Sequence, residues 1–197
     1  MTFMLTRQDL WSLEEYSEKR SKFRQKVLEH KRNRYVSLGE HLRLCFEDAL
    51  TIKYQIQEML RIERIFDPAG IEEELNAYNP LIPTGQNWKA TLMIEYEDAN
   101  ERKDRLSSLI GIESEIWIQV ESCEAVYPIA DEDLDRTSDT KTSAVHFLRF
   151  ELTPDMILGV KENHSISIGV SHPNFPMTKT QLKREVRDTL ANDLVLA

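Results

Sequence analysis

Residues able to move a proton or hold an anion concentrate in two strand patterns and one helix pattern. Ala144–Leu152 reads AVHFLRFEL. Alternation puts His146 with Leu148 and Phe150 on one face, and Arg149 and Glu151 with Val145 and Phe147 on the other. Asn87–Tyr96 (NWKATLMIEY) puts Trp88, Ala90, Leu92, Ile94 and Tyr96 on one face, with Lys89 and Glu95 opposite. Polar groups set into apolar faces cost free energy unless they are paired. One way to pair them is a pocket in which His146, or Arg149 with Glu151, stands against Lys89 and Glu95, with Asn87 beside it. A histidine near a carboxylate there could transfer protons or respond to pH. The alternative is a hydrogen-bonded structural histidine.

The third pattern is the helix Ala49–Phe66, whose apolar stripe runs through Ala49, Ile52, Ile56, Met59, Ile62 and Phe66. Opposite it, Tyr54, Gln57, Glu58, Arg61 and Arg64 share a face. Glu58 is spaced for a pair with Arg61, a common and weak feature of a solvated face. Alternatively, Arg61 and Arg64 reach over the next loop to a small anion, a task suited to the planar guanidinium fork. The candidate ligand-binding set is therefore Glu58, Arg61, Arg64, Asn87, Lys89, Glu95, His146, Arg149 and Glu151. No catalytic residue is assigned.

Around these patterns the expected order starts with a basic N-terminal helix over 7–33, introduced by Thr6 and Asp9 and long enough to be two-part or kinked. A hairpin over 35–47 follows. Central helices fill 49–78, the first stopping at Phe66 before Pro68 and the second running Ile71–Tyr78 after Gly70. Asn79–Asn87 (NPLIPTGQN) is a loop stiffened by two prolines. A sheet with intervening helices spans 88–170: Asp98 opens a helix ended by Gly111, strand 116–121 pairs with 125–129, and 130–142 is an exposed acidic loop. A C-terminal helix over 180–194 closes the chain. Helices separate antiparallel strand runs without a βαβ rhythm, so the expected fold is α+β: one domain, 1–197, with an antiparallel sheet packed against helices.

Composition narrows the function classes. The chain has 197 residues and a net charge of −9, which argues against a general nucleic-acid binder. From Glu18 to Arg34, however, eight Lys/Arg meet two Glu. That basic segment could dock on an acidic partner or on the chain's own acidic body, and self-docking is the more economical reading. The two cysteines, Cys45 and Cys123, lie in no CxxC or CxxH motif, so Cys45 is expected to be a buried thiol. None of the five histidines stands in HxxxH, HExxH or ExxH, and no P-loop, GxGxxG or GxSxG occurs. The expectation is no metal and no cofactor. The start, MTFMLTRQDL, has no basic region followed by an apolar run, and no stretch reaches bilayer length, so a cytoplasmic protein is expected, off the membrane. Trp11, Trp88 and Trp117 are too dispersed for base stacking and read as core or interface aromatics.

The segments LTRQDLWSLEEY, YQIQEMLRIERIF, EELNAYNPLIPTGQNWKATLMIEY, IADEDL and KTSAVHFLRFEL resemble a family of bacterial proteins classed as a domain of unknown function, over Leu5 to about Leu194. The resemblance implies genes set beside those for rubrerythrin-like proteins and cysteine-rich iron–sulfur oxidoreductases. It thereby implies an accessory role in redox or peroxide handling, with a redox protein as partner. It carries no catalytic residues over. Two function classes follow: an accessory or binding protein, and a metal-independent enzyme using a carboxylate, histidine and arginine pocket for a small molecule. Convergence of the candidate residues would favour the pocket.

Overall fold

A computed structural model describes residues 4–196; Met1–Phe3, part of the N-terminal stretch read for a signal, and Ala197 lie outside them. The order is α1 (Leu13–Lys31), β1 (Tyr35–Leu38), β2 (Leu42–Phe46), α2 (Ala49–Glu63), α3 (Pro68–Tyr78), β3 (Asn87–Ile94), α4 (Ala99–Ser108), β4 (Ile116–Val120), β5 (Ile129–Ala130), β6 (Val145–Glu151), α5 (Pro154–Lys161), β7 (Ile166–Val170), β8 (Thr178–Gln181) and α6 (Arg184–Ala191). The fold is α+β, with antiparallel pairing throughout the described strands.

The strands form two sheets, β1-β2-β3-β6-β5 and β4-β7-β8. Alternation explains the first. Trp88, Ala90, Leu92 and Ile94 of β3 and Leu148 and Phe150 of β6 are buried and face one core shared with Ile116, Ile118 and Val120 of β4 and Ile166, Ile168 and Val170 of β7. Helices α5 and α6 close that core through Met156, Val160, Val186 and Leu190, and Trp88 Nε1 donates to Leu190 O at 3.0 Å. The opposite face of the first sheet carries the polar alternates Lys89, Thr91 and Arg149. Helices α2 and α3 lie over it, joined by a second core of Ile52, Ile56, Leu60, Ile71 and Leu75.

Several boundaries differ from the sequence expectation for local reasons. The N-terminal helix is split. The Asp9 carboxylate accepts from Thr6 N and closes only a short 3-10 turn, and α1 proper starts after Ser12, whose hydroxyl accepts from Glu15 N while Glu15 accepts from Ser12 N. Helix α2 ends at Glu63, because Arg64 turns into the left-handed region at φ 56°. Asp67 caps Gly70 N at 2.9 Å with Pro68 in the first helical turn, so α3 begins before Gly70 rather than after it. The stripe of α2 is also rotated. Gln57 is buried, exchanging hydrogen bonds with the Trp11 backbone, whereas Ile62 and Phe66 are exposed. Finally, 125–129 is not a hairpin strand of β4. It makes a single bridge, Ile118 to Val126, and Ile129–Ala130 pairs with β6 instead.

The second sheet has one tight approach. A Cβ on Gly169 would lie 2.2 Å from the Trp117 ring and 2.7 Å from Thr178 O. Gly169→Ala is expected to push the indole off the strand and strain the β7–β8 ladder, costing roughly 1–3 kcal/mol in urea unfolding. A variant as stable as the parent would show that the ring swings away freely.

Candidate functional site

The β3–β6 ladder sets Asn87 opposite Glu151, Lys89 opposite Arg149 and Thr91 opposite Phe147. Residues facing each other across an antiparallel pair touch, so the sheet itself brings these side chains together. Arg149 Nε and Nη2 donate to the two carboxylate oxygens of Glu132, both at 2.7 Å, and Nη1 donates to Glu151. Asn87 Nδ2 donates to Glu151 at 2.9 Å and to Thr84 Oγ1 at 2.8 Å, which fixes the end of the proline loop. The carboxylates raise the Arg149 pKa, and the guanidinium in turn lowers that of Glu132. Arg149 therefore arrives fully neutralised.

Lys89 does not. Its ammonium donates to Pro80 O, and among the described residues no carboxylate lies within ion-pair distance of it. Burial, followed by repulsion from Arg149, lowers its pKa. This half-buried cation is in the wall of a cavity of about 250 Å³ between α3, with the turn after it, and the sheet. Ala77, Pro80 and Leu81 form one side and Phe147, Arg149 and Lys89 the other, with Glu132 and Asp133, paired to Arg149 and Arg136, completing the lining. Arg136 lies over the Phe147 ring at 4.5 Å, pinned by Asp133 and by Asp131 at 3.4 Å.

A second cavity of about 220 Å³ shares Leu81 and Phe147 with the first and is bordered by Tyr35, Cys45, Glu47 and Thr91. Glu47 accepts from Thr51 Oγ1 at 2.6 Å and from Thr91 Oγ1 at 2.7 Å, so its oxygens are satisfied. Burial, with Glu47 next, pushes the Cys45 thiol up to about 12, and at neutral pH it is a neutral group rather than a nucleophile.

Of the nine candidate residues, the structure gathers Asn87, Lys89, Arg149 and Glu151. The other five are elsewhere. His146 is fully buried on the opposite sheet face, not beside Lys89 and Glu95 as one reading had it. Its Nδ1 is 2.6 Å from Asp131 and its Nε2 2.9 Å from Thr142 Oγ1, with Glu113 at 3.8 Å, so it ties the 131–142 loop to β6. Glu95 pairs with Arg43 at 2.8 Å near the far end of β3. Arg64 is an exposed helix cap.

Glu58 and Arg61 belong to the α1–α2 contact. Arg20 holds Glu58 with Nε at 2.7 Å and Nη2 at 2.9 Å, Tyr16 OH donates at 2.6 Å, and Arg61 reaches only 3.4 Å. These hydrogen bonds, Arg20 first, lower the Glu58 pKa from 4.5 to about 2. The folded value is below the unfolded one, so this stabilisation is complete above about pH 4.5 and is lost as pH falls towards 2. Glu58→Gln is expected to lower the melting temperature by a few degrees at neutral pH and to leave it unchanged near pH 2. Parallel melting curves for both proteins across that range would contradict the assignment.

The sequence reading missed Glu132 and Arg136, which come from the loop read as simply exposed, because their partners are on another element. The alternating charge of ADEDLDR beside a strand carrying an outward arginine was the signal available.

Residues 4–194 match the family model described as "Protein of unknown function (DUF3501)". A crystal structure described as a novel protein of unknown function from Burkholderia pseudomallei K96243 is 50% identical, covers 99% of this chain and 100% of its own, and has a TM-score of 0.93. No curated protein matches the chain. No helix among the described residues is long and apolar enough to cross a membrane.

Proposed function

This chain belongs to the DUF3501 family of proteins of unknown function, and we propose that it is a binding protein for a small carboxylate with an apolar body. The observation that carries this reading is Lys89. A cation drawn partly out of water is costly unless an anion answers it. Here a carbonyl accepts its hydrogen bond, while Glu132 and Glu151 attract it only from beyond ion-pair distance and are committed to Arg149. The apolar walls at Ala77, Leu81 and Phe147 suit the body of the ligand, and Lys89 suits its head. Arg149 shapes the wall and is a poorer anion site than Lys89, since Glu132 and Glu151 already offset its charge and each of its nitrogens donates to one of them.

The enzyme alternative has less behind it. The buried His146 is held on the other face of the sheet, and the thiol nearest the cavities is neutral. An accessory role beside redox proteins is compatible with a binding protein and rests on the family resemblance alone. Thermal melting against a panel of aryl and medium-chain alkyl carboxylates, each with its primary amide, tests the ligand class. Carboxylates should raise the melting temperature more than their amides; equal shifts would contradict a charged head at Lys89.

A further inference from the structure

We propose that the groove between α1 and the first turns of α2 docks an acidic segment of a partner protein that presents an apolar side chain between its carboxylates. The groove is independent of the Lys89 cavity and holds about 490 Å³. Trp11, Phe23 and Leu50 make its floor, the two aromatic rings meeting edge to face at 4.9 Å. Lys19, Lys22, Lys26 and Lys53 make its rim. Lys53 Nζ stands 4.1 Å from the Trp11 centroid and Lys19 Nζ stands 5.3 Å from it.

The fold does not neutralise this rim. Lys19 has Glu15 at 3.8 Å, and among the described residues Lys22, Lys26 and Lys53 have no carboxylate within ion-pair distance. Asp9 and Glu18 are the acidic groups nearest the groove. Elsewhere on the same segment the cations are used internally. Arg20 is bound to Glu58, and Arg34 to Asp48 and Asp193. Self-docking, preferred from the sequence, therefore holds for those two arginines and fails for Lys22 and Lys26, which are exposed. Burial lowers the pKa of Lys53, with repulsion from Lys19 and Lys26 acting against the attraction of Asp9.

An apolar floor with a tryptophan inside a cationic rim has the layout of an interface centre with a charged margin. The charge balance selects the occupant. The chain is −9 overall, so a nucleic acid or an anionic bilayer reaching past the groove would meet an acidic body. A short acidic protein segment touches only the groove, its carboxylates on the rim and its apolar side chain on the floor.

The test uses the full chain and a fluorescein-labelled peptide repeating Glu-Glu-Leu-Glu, with a Glu-Glu-Ser-Glu peptide, single-stranded DNA and phosphatidylglycerol vesicles as comparisons. The leucine peptide should bind more tightly than the other three, and added salt should weaken it. Lys22→Glu with Lys26→Glu should lose roughly tenfold or more in affinity with an unchanged melting temperature. Lys53→Gln should lose part of it. Equal binding by the double variant, equal binding of the serine peptide, absence of peptide binding at low salt, or preference for DNA or vesicles would each overturn the proposal. A lowered melting temperature in the double variant would also overturn it, by placing those lysines in internal pairs.

Discussion

Arg34→Ala is expected to cost about 3–5 kcal/mol, the range for stripping one partner from a buried ion pair, and to lower the melting temperature on the order of 10 °C. Arg34 is only 1% exposed. Its Nε donates to Phe46 O at 2.8 Å and its Nη2 to Glu47 O at 2.9 Å, while Nη2 also meets Asp193 at 2.5 Å and Nη1 lies 3.3 Å from Asp48. One side chain thus ties the end of α1, the end of β2, the start of α2 and the C-terminal segment. Without it, the Asp193 carboxylate keeps its burial and loses its counter-charge. Burial already raises the Asp193 pKa even with Arg34 present. Arg34→Met combined with Asp193→Leu should recover part of the loss, because that pair removes the Asp193 charge and leaves two carbonyls short of a donor and Asp48 with His30 and Thr51 as its partners. A single variant that melts within a degree or two of the parent would contradict this description of the core.

The second large effect is on binding. Lys89→Met keeps most of the apolar stem and removes the ammonium, with its charge and its hydrogen bond to Pro80 O. A charge-assisted hydrogen bond is worth about 1.5–3 kcal/mol, so carboxylate affinity should fall roughly tenfold to a hundredfold. Stability should change little, since relief of the ammonium's desolvation offsets loss of its hydrogen bond to Pro80 O. Affinity for the matching primary amides should change little. A variant that loses carboxylates and amides equally would show that Lys89 only shapes the wall.

The outcome follows how local each signal is. The β3 and β6 alternation is a property of consecutive residues, so the face shared by Lys89, Arg149 and Glu151 was legible, as was the antiparallel class. The phase of α2 was less so. Gln57 reads as polar surface until the Trp11 backbone arrives to use both ends of its amide, and Phe66 reads as core although the chain turns at Arg64 before it can be buried. Arg34 counts as one more basic residue in sequence, and only the return of Asp193 explains why it is buried. Likewise His146 pairs with Asp131, fifteen residues earlier, so strand periodicity could give its face but not its partner. The candidate set converged only in part for the same reason: composition marks polar residues, and topology decides which of them come together.

The central claim, that the Lys89 cavity binds a small apolar carboxylate, is tested most directly by titrating isotope-labelled protein with 3-phenylpropionate and following backbone amide shifts. The account predicts saturable shifts centred on Ala77, Leu81, Lys89, Phe147 and Arg149, strongly weakened in Lys89→Met. Shifts centred elsewhere, or shifts at these residues that Lys89→Met leaves intact, would contradict it.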